Sequence, residues 1–225
     1  MSVYTNIERW VDTFKFFLES ENCPPHEYPI VIWTTDRYPD KYILYNSEQL
    51  SSKGKLTGFL SKINNAVIEI WDYSLENTKI LEKHGISSKH VPPISPEWYK
   101  NKLKSYSDEP CIYDVGFAGC ESERRTKIIE ELKSSGITVN YIIEKYGEER
   151  DKELAKCRII LNIHCLDDFS IFESARCEPW LSIDKCVVSE NSLDNDPRCI
   201  NVDYNIIVKT IIDIINEMSD IKLDC

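Results

Sequence analysis

CRIILNIHCLDDFSIFESARCEPWLSIDKCVVSE, residues Cys157–Glu190, is the stretch that decides the fold. It runs from an apolar strand through a polar loop containing His164 to Phe172-Glu173 at the head of a helix. A second apolar strand then ends on Glu190. Strands that are apolar at successive positions belong to parallel sheets covered on both faces, and such sheets bind ligands beyond the carboxyl ends of their strands. His164, Asp167, Asp168, Glu173, Arg176 and Glu190 fall at those ends. The stretch therefore predicts a ligand as well as an architecture.

The same alternation extends in both directions. Upstream, Cys111–Phe117 reads as a strand and Ala118–Gly119–Cys120 as a tight turn. Ser122 caps a helix to about Ser135, a strand follows over Ile137–Ile143, and a helix over Glu148–Lys156. Downstream, Arg198–Val202 is an edge strand and Tyr204–Met218 a closing helix with Ile207, Ile211, Ile212 and Ile215 on one face. The first half repeats the pattern more briefly. A helix is expected over residues 5–20, with Ile7, Trp10, Val11, Phe14, Phe17 and Leu18 at helical spacing. Strands follow at Tyr28–Trp33, Tyr42–Tyr45, Ala66–Trp71 and Lys89–Val91, with short helices over Glu48–Lys53 and Lys55–Asn64 and a longer one from Ser74 to Lys83. Residues 94–110 read as a Pro-rich, polar crossover, which places a boundary between 1–105 and 106–225. The predicted architecture is α/β: two Rossmann-like parallel-sheet halves facing a cleft, the N-terminal one abbreviated.

Composition narrows the function classes. The chain has 225 residues, 42% of them hydrophobic, which is enough for a packed core. Its net charge is −11, with 27 basic against 38 acidic residues, so phosphate-backbone binding and attraction to an anionic membrane are disfavoured and no nucleic-acid partner is expected. No apolar run approaches ~18 residues, so no membrane span is expected. The segment MSVYTNIERWVDTFKFFLES carries charges throughout and does not read as a secretory signal. Nine cysteines with no CxxC pair read as thiols of a reducing compartment, and a cytoplasmic location is expected.

Four constellations carry chemistry. Gly116–Phe117–Ala118–Gly119, with Arg124 and Arg125 just beyond, is a strand turning at glycines into a helix; backbone N–H groups, the helix dipole and an arginine there can receive a phosphate. A plain βα turn with both arginines in water is the alternative. Asn162-Ile163-His164 ends a buried strand, where His164 is either a structural hydrogen-bonder or a cleft residue. Phe172-Glu173-x-x-Arg176 opens a helix, where Glu173 either accepts sugar hydroxyls or pairs with Arg176 at i+3. Asn46-Ser47-Glu48-Gln49 and Trp71-Asp72-Tyr73-Ser74-x-x-Asn77 end first-half strands, so Glu48 or Asp72 is a candidate general base, with helix capping the alternative for Asp72. No metal is expected.

Across residues 42–205 the chain resembles small GT-B-type glycosyltransferase-like proteins of large DNA viruses and bacteria, related to glycosyltransferase family 1 and to CgeB-like groups. The segments that carry the resemblance are YILYNSEQL (42–50), IWDYSLENTKIL (70–81), VGFAGCESERRTKIIEELKSSGI (115–137), YGEERDKELAKCRIILNIH (146–164) and IFESARCEPWLSIDKCVVSE (171–190). The resemblance implies a nucleotide-diphosphate sugar donor and a glycan or protein acceptor, with no cofactor. It implies that Gly116, Gly119 and Arg124 or Arg125 flank the diphosphate, and that Tyr146 and Gly147 lie near the base. Asn162, His164, Phe172, Glu173 and Arg176 would line the sugar and ribose, and Glu190 would close the pocket. Glu48, Asp72, His164 and Glu173 are the catalytic candidates. Related proteins often carry glycine where this chain has Asp184. The Glu-x7-Glu spacing of many retaining members is absent, because Leu181 stands eight residues after Glu173. The expected activity is metal-independent transfer of a sugar to an acceptor hydroxyl; the rival is a catalytically silent nucleotide- or sugar-binding module.

Overall fold

Two five-stranded sheets, all parallel, organise the chain. The computed structural model describes residues 2–5, 14 and 16–220. Of the helix expected over 5–20, Phe14 and a helical turn at Phe16–Leu18 are described, whereas Ile7, Trp10 and Val11 lie outside the described residues.

The first sheet contains β1 (Val3–Tyr4), β2 (Ile30–Ile32), β3 (Tyr42–Asn46), β4 (Val67–Asp72) and β5 (Lys89–His90), in that spatial order. Helix α1 (Lys53–Leu60) connects β3 to β4, and α2 (Leu75–Lys83) connects β4 to β5. Period-two alternation along β2, β3 and the end of β4 feeds two cores. Ile30, Ile32, Ile43, Tyr45 and Trp71 pack with Phe14, Phe17 and Leu18 on one face; Val31, Tyr42, Leu44 and Ile70 pack with Phe59 and Leu81 on the other. Both faces being covered is why β2 and β3 carry no polar alternation.

The second sheet contains β6 (Tyr113–Ala118), β7 (Val139–Ile142), β8 (Cys157–Asn162), β9 (Cys186–Glu190) and β10 (Ile200–Val202), in the order β10-β9-β8-β6-β7. Helix α3 (Glu97–Tyr106) precedes β6, α4 (Glu123–Ser134) joins β6 to β7, α5 (Gly147–Ala155) joins β7 to β8, α6 (Ser174–Leu181) lies between β8 and β9, and α7 (Ile207–Asp220) follows β10. Val115, Phe117, Ile159, Leu161 and Val188 meet Ile128, Ile129 and Leu132 of α4 and Ile207, Ile211 and Ile215 of α7.

Several expectations are corrected. Residues 94–110 are not a polar crossover: α3 begins directly after Pro96, whose carbonyl accepts from the amides of Tyr99 and Lys100. Proline at a helix start is favourable because its missing N–H has no intrahelical acceptor there. Tyr99 and Leu103, four residues apart, supply the buried side of the helix. Nor do the halves divide once at 105/106. One compact unit is Met1–Lys100 with Asp168–Pro179 and Ser192–Asp194; the other is Asn101–Asp167 with Trp180–Asn191 and Asn195–Cys225. Residues 48–52 are turn, with one helix in place of two short ones. The helix expected from 171 starts at Ser174.

Two backbone positions give testable consequences. A Cβ on Gly116 would stand 2.6 Å from Cys157 Sγ and 3.0 Å from Leu154 Cδ2. Gly116 thus lets α5 and β8 close on β6, and Gly116→Ala should cost about 1–3 kcal/mol by overpacking, read as a shift in the urea midpoint. Asp184, between α6 and β9, has φ 60°, the left-handed region that glycine enters without a Cβ penalty. Asp184→Gly should raise stability by up to about 1 kcal/mol, and a fall would remove the strain assigned to it.

Candidate functional site

In the second sheet the chain goes from β6 outward to β7, then returns past β6 to β8. The order reverses between β6 and β8, and sheets of this topology open a crevice beyond the strand ends at such a point. The residues just past β6 and β8, and the last residue of β9, assemble one polar cluster there.

Arg124 is its centre. Ser122 caps α4, its Oγ accepting from the Arg125 amide, so Arg124 lies in the first turn. Its Nη1 and Nη2 donate to the two carboxylate oxygens of Glu190 at 3.0 and 2.7 Å, and Nη1 also donates to the His164 carbonyl at 3.1 Å. Nε pairs with Asp167 at 2.5 Å. The guanidinium lies over the Tyr204 ring, 4.2 Å from its centroid, and the Tyr204 hydroxyl donates to the Arg124 carbonyl at 2.8 Å. Hydrogen bonding from Glu190 holds the Arg124 proton more tightly than usual. Glu190 also accepts from the His164 amide at 3.0 Å. Its bidentate partner and this amide together offset the cost of placing a carboxylate where it is 7% exposed.

The other predicted residues of this unit divide by role. Arg125 is 2% exposed; its Nε donates to the Ile163 carbonyl and its Nη1 to the Cys120 carbonyl and sulfur. It ties the ends of β6 and β8 together, which removes it from the group expected at a diphosphate. Gly116 serves packing, as described above. The Gly119 amide donates to Ile142 O at 3.2 Å, so that N–H is engaged within the sheet end rather than offered to a phosphate. Asn162 is buried and donates to Ser189 Oγ, and His164 is buried beside it. Tyr146, 42% exposed, precedes α5, whose first residue Gly147 has φ 52°.

Glu48, Asp72, Phe172, Glu173 and Arg176 belong to the other unit. There they form a second polar lattice. Asp72 Oδ2 accepts from Asn46 Nδ2 at 2.7 Å; Oδ1 accepts from Asn77 Nδ2 and from the Ser74 amide, both at 2.9 Å. Burial pushes its carboxyl up to about 8 against the pull of those three donors. Fully enclosed and satisfied by the framework, Asp72 is not placed to take a proton from an acceptor, and its role is structural. Glu48 pairs with Lys55 at 2.8 Å, while its main-chain carbonyl accepts from Asn46 and Asn77. Glu173 pairs with Arg176 and accepts from Gln49 Nε2 at 3.2 Å. Three successive amides are received by side chains: Ser170 by Ser51 Oγ, Ile171 by Gln49 Oε1 and Phe172 by Asp194 Oδ1. Asp194 also accepts from Ser74 Oγ at 2.5 Å. These bonds hold residues 170–172 out of the helix and explain its start at Ser174.

Tyr204 and Asp194 were not singled out by sequence. Tyr204 carried the signal of a helix start only, and Asp194 sits in the featureless run NSLDND. Among the described residues, no group of three or more His, Cys, Asp or Glu side chains is arranged to hold a metal ion, and no helix is long and apolar enough to cross a membrane.

No protein-family model matches the chain, and no solved structure matches it. Curated proteins that do match come from Acanthamoeba polyphaga mimivirus and are uncharacterized. One, L140, is 38% identical over 158 residues, 68% of this chain and 50% of that protein. A second, L137, is 34% identical over 177 residues, 76% of this chain and 24% of that protein. A third, R358, is 31% identical over 194 residues, 80% of this chain and 64% of that protein. The chain thus spans half of the first relative and about a quarter of the second. It is an α/β protein of two five-stranded parallel sheets, with relatives in a giant virus.

Proposed function

We propose that this chain binds a nucleotide-diphosphate sugar at the strand-order reversal of its second sheet and transfers the sugar to an acceptor hydroxyl, as a GT-B-type glycosyltransferase. The observation that supports the reading is the convergence of Arg124, His164 and Glu190 at the β6, β8 and β9 ends, beside the N-terminus of α4. Arg124 and that helix end offer positive charge to a leaving diphosphate, the stabilisation a metal-independent transfer needs. Asp72 having a structural role, His164 is the candidate within this unit for the base that takes the acceptor proton.

The Arg124 charge is already balanced, so a diphosphate must displace one carboxylate. Asp167 is the one to leave: its side chain is 91% exposed, whereas that of Glu190 is 9% exposed and doubly bonded. Exposed pairs are worth up to about 1 kcal/mol, so Asp167→Asn should tighten UDP or GDP binding by up to about fivefold in calorimetry. Weaker binding would show that Asp167 helps to hold the ligand.

One observation favours a silent binding module instead: Glu173 is occupied by Arg176 and Gln49. Calorimetry with UDP, GDP and their sugars, followed by a donor-hydrolysis assay with glycan extracts as acceptor, separates the readings. Binding with turnover supports the transferase. Binding without turnover leaves the module, and absence of binding removes both.

A further inference from the structure

Cys120 follows β6 and Cys165 follows β8, and these strands are parallel neighbours, so the sheet itself brings the two residues together. Their sulfurs are 3.6 Å apart. Cys120 is exposed and Cys165 half-buried. Arg125 Nη1 donates to Cys120 Sγ at 3.1 Å, so a guanidinium stands against the sulfur that would attack. Elsewhere among the described residues Cys157, Cys177 and Cys199 are buried and Cys111 accepts from Lys185 Nζ at 3.5 Å; burial raises the thiols of Cys23, Cys157 and Cys186, and that of Cys165 as well. The pair is thus marked by the nearness of its two sulfurs, with Cys120 exposed and Arg125 against it.

We propose that Cys120 and Cys165 are a redox-active dithiol whose substrate is a low-molecular-weight disulfide such as oxidised glutathione. The Cys120 thiolate attacks one sulfur of the substrate, forming a mixed disulfide and releasing one glutathione thiolate. That thiolate takes the Cys165 proton and leaves as glutathione. The Cys165 thiolate then attacks Cys120 Sγ and expels the second glutathione as its thiolate, which takes from water the proton that Cys120 had released. Two protein thiols are oxidised, one glutathione disulfide is reduced to two glutathiones, and the new bond joins the loops after β6 and β8. A disulfide is about 2.05 Å long, so the sulfurs must approach by side-chain rotation and a small loop movement.

The test is independent of any nucleotide. The whole chain is equilibrated with reduced and oxidised glutathione in varied ratio, quenched with an alkylating reagent and mapped by peptide mass spectrometry. The expected product is a Cys120–Cys165 cross-linked peptide in about tenfold excess over any other pairing, reversed by dithiothreitol. Cys165→Ser should stop at the glutathione mixed disulfide on Cys120, and Cys120→Ser should leave Cys165 open to alkylation. Full alkylation of both residues in oxidised glutathione alone would overturn the proposal. So would a stable mixed disulfide on Cys120 of the unsubstituted chain.

Discussion

Asp72→Ala is expected to lower the stability of the first unit by about 3–5 kcal/mol, because three buried donors lose their acceptor at once. The donors are Asn46 Nδ2, Asn77 Nδ2 and the Ser74 amide, and both asparagines also bond the Glu48 carbonyl. Asn77 further accepts from the Leu50 amide, so the loss spreads through the turn after β3. Asp72→Asn should cost less, about 1–3 kcal/mol, since the amide oxygen keeps an acceptor while its nitrogen meets another donor. The pair also separates by pH. Burial raises the folded carboxyl to about 8, above the ordinary aspartate value, so the folded state keeps a proton that the unfolded chain has lost. This contribution is complete below about pH 4 and is lost as pH rises through 8, with a slope of at most about 1.4 kcal/mol per pH unit. Urea unfolding between pH 5 and 8 should show that decline in the parent chain and not in Asp72→Asn. Equal slopes would mean that the three donors, not burial, set the ionisation of Asp72.

Arg124→Ala is expected to act twice. It leaves Glu190, its side chain 9% exposed, without its bidentate cation, and losing one member of such a pair costs about 3–5 kcal/mol. It also removes the cation proposed for the diphosphate, worth about 1.5–3 kcal/mol per charged hydrogen bond. Adding Glu190→Gln separates the two effects, because a neutral amide needs no counterion. The double variant should regain most of the stability while UDP and GDP binding stays weak by tenfold or more, at about 1.4 kcal/mol per decade. Stability that fails to return would mean that the pair is held by more than charge, through the Tyr204 stack or the His164 carbonyl. Affinity that returns with the fold would place the nucleotide elsewhere.

The second sheet was legible in sequence because its strands are mostly apolar runs alternating with helices; the Ser122 cap and the Ile207–Ile215 stripe both read directly. Arg124 was legible as a first-turn cation, but Arg125 reads the same way until its surroundings are seen. Which of two adjacent arginines is buried depends on helix rotation, and rotation follows from packing against strands that are distant in sequence. The same holds for Gly116: a glycine in a βα turn suggests a phosphate cradle, and only the nearness of Cys157 Sγ shows a packing requirement. Helix α3 was hidden by the prolines before it. The bonds from Gln49, Ser51 and Asp194 to residues 170–172 join positions more than a hundred residues apart or across a loop, and no local spacing announces them.

That last lattice sets an order of assembly. Part of the first unit is encoded near the end of the chain, in residues 168–179 and 192–194. During synthesis, Gln49, Ser51 and Ser74 leave the ribosome long before Ser170, Ile171 and Asp194, the groups that answer them. The N-terminal sheet therefore waits with these polar groups hydrated while β6, β7 and β8 emerge. Domains are often made one after the other, but here the first to be translated is among the last to be completed. Truncation after residue 105 should accordingly yield a chain that does not reach the stability of the first unit in the whole protein.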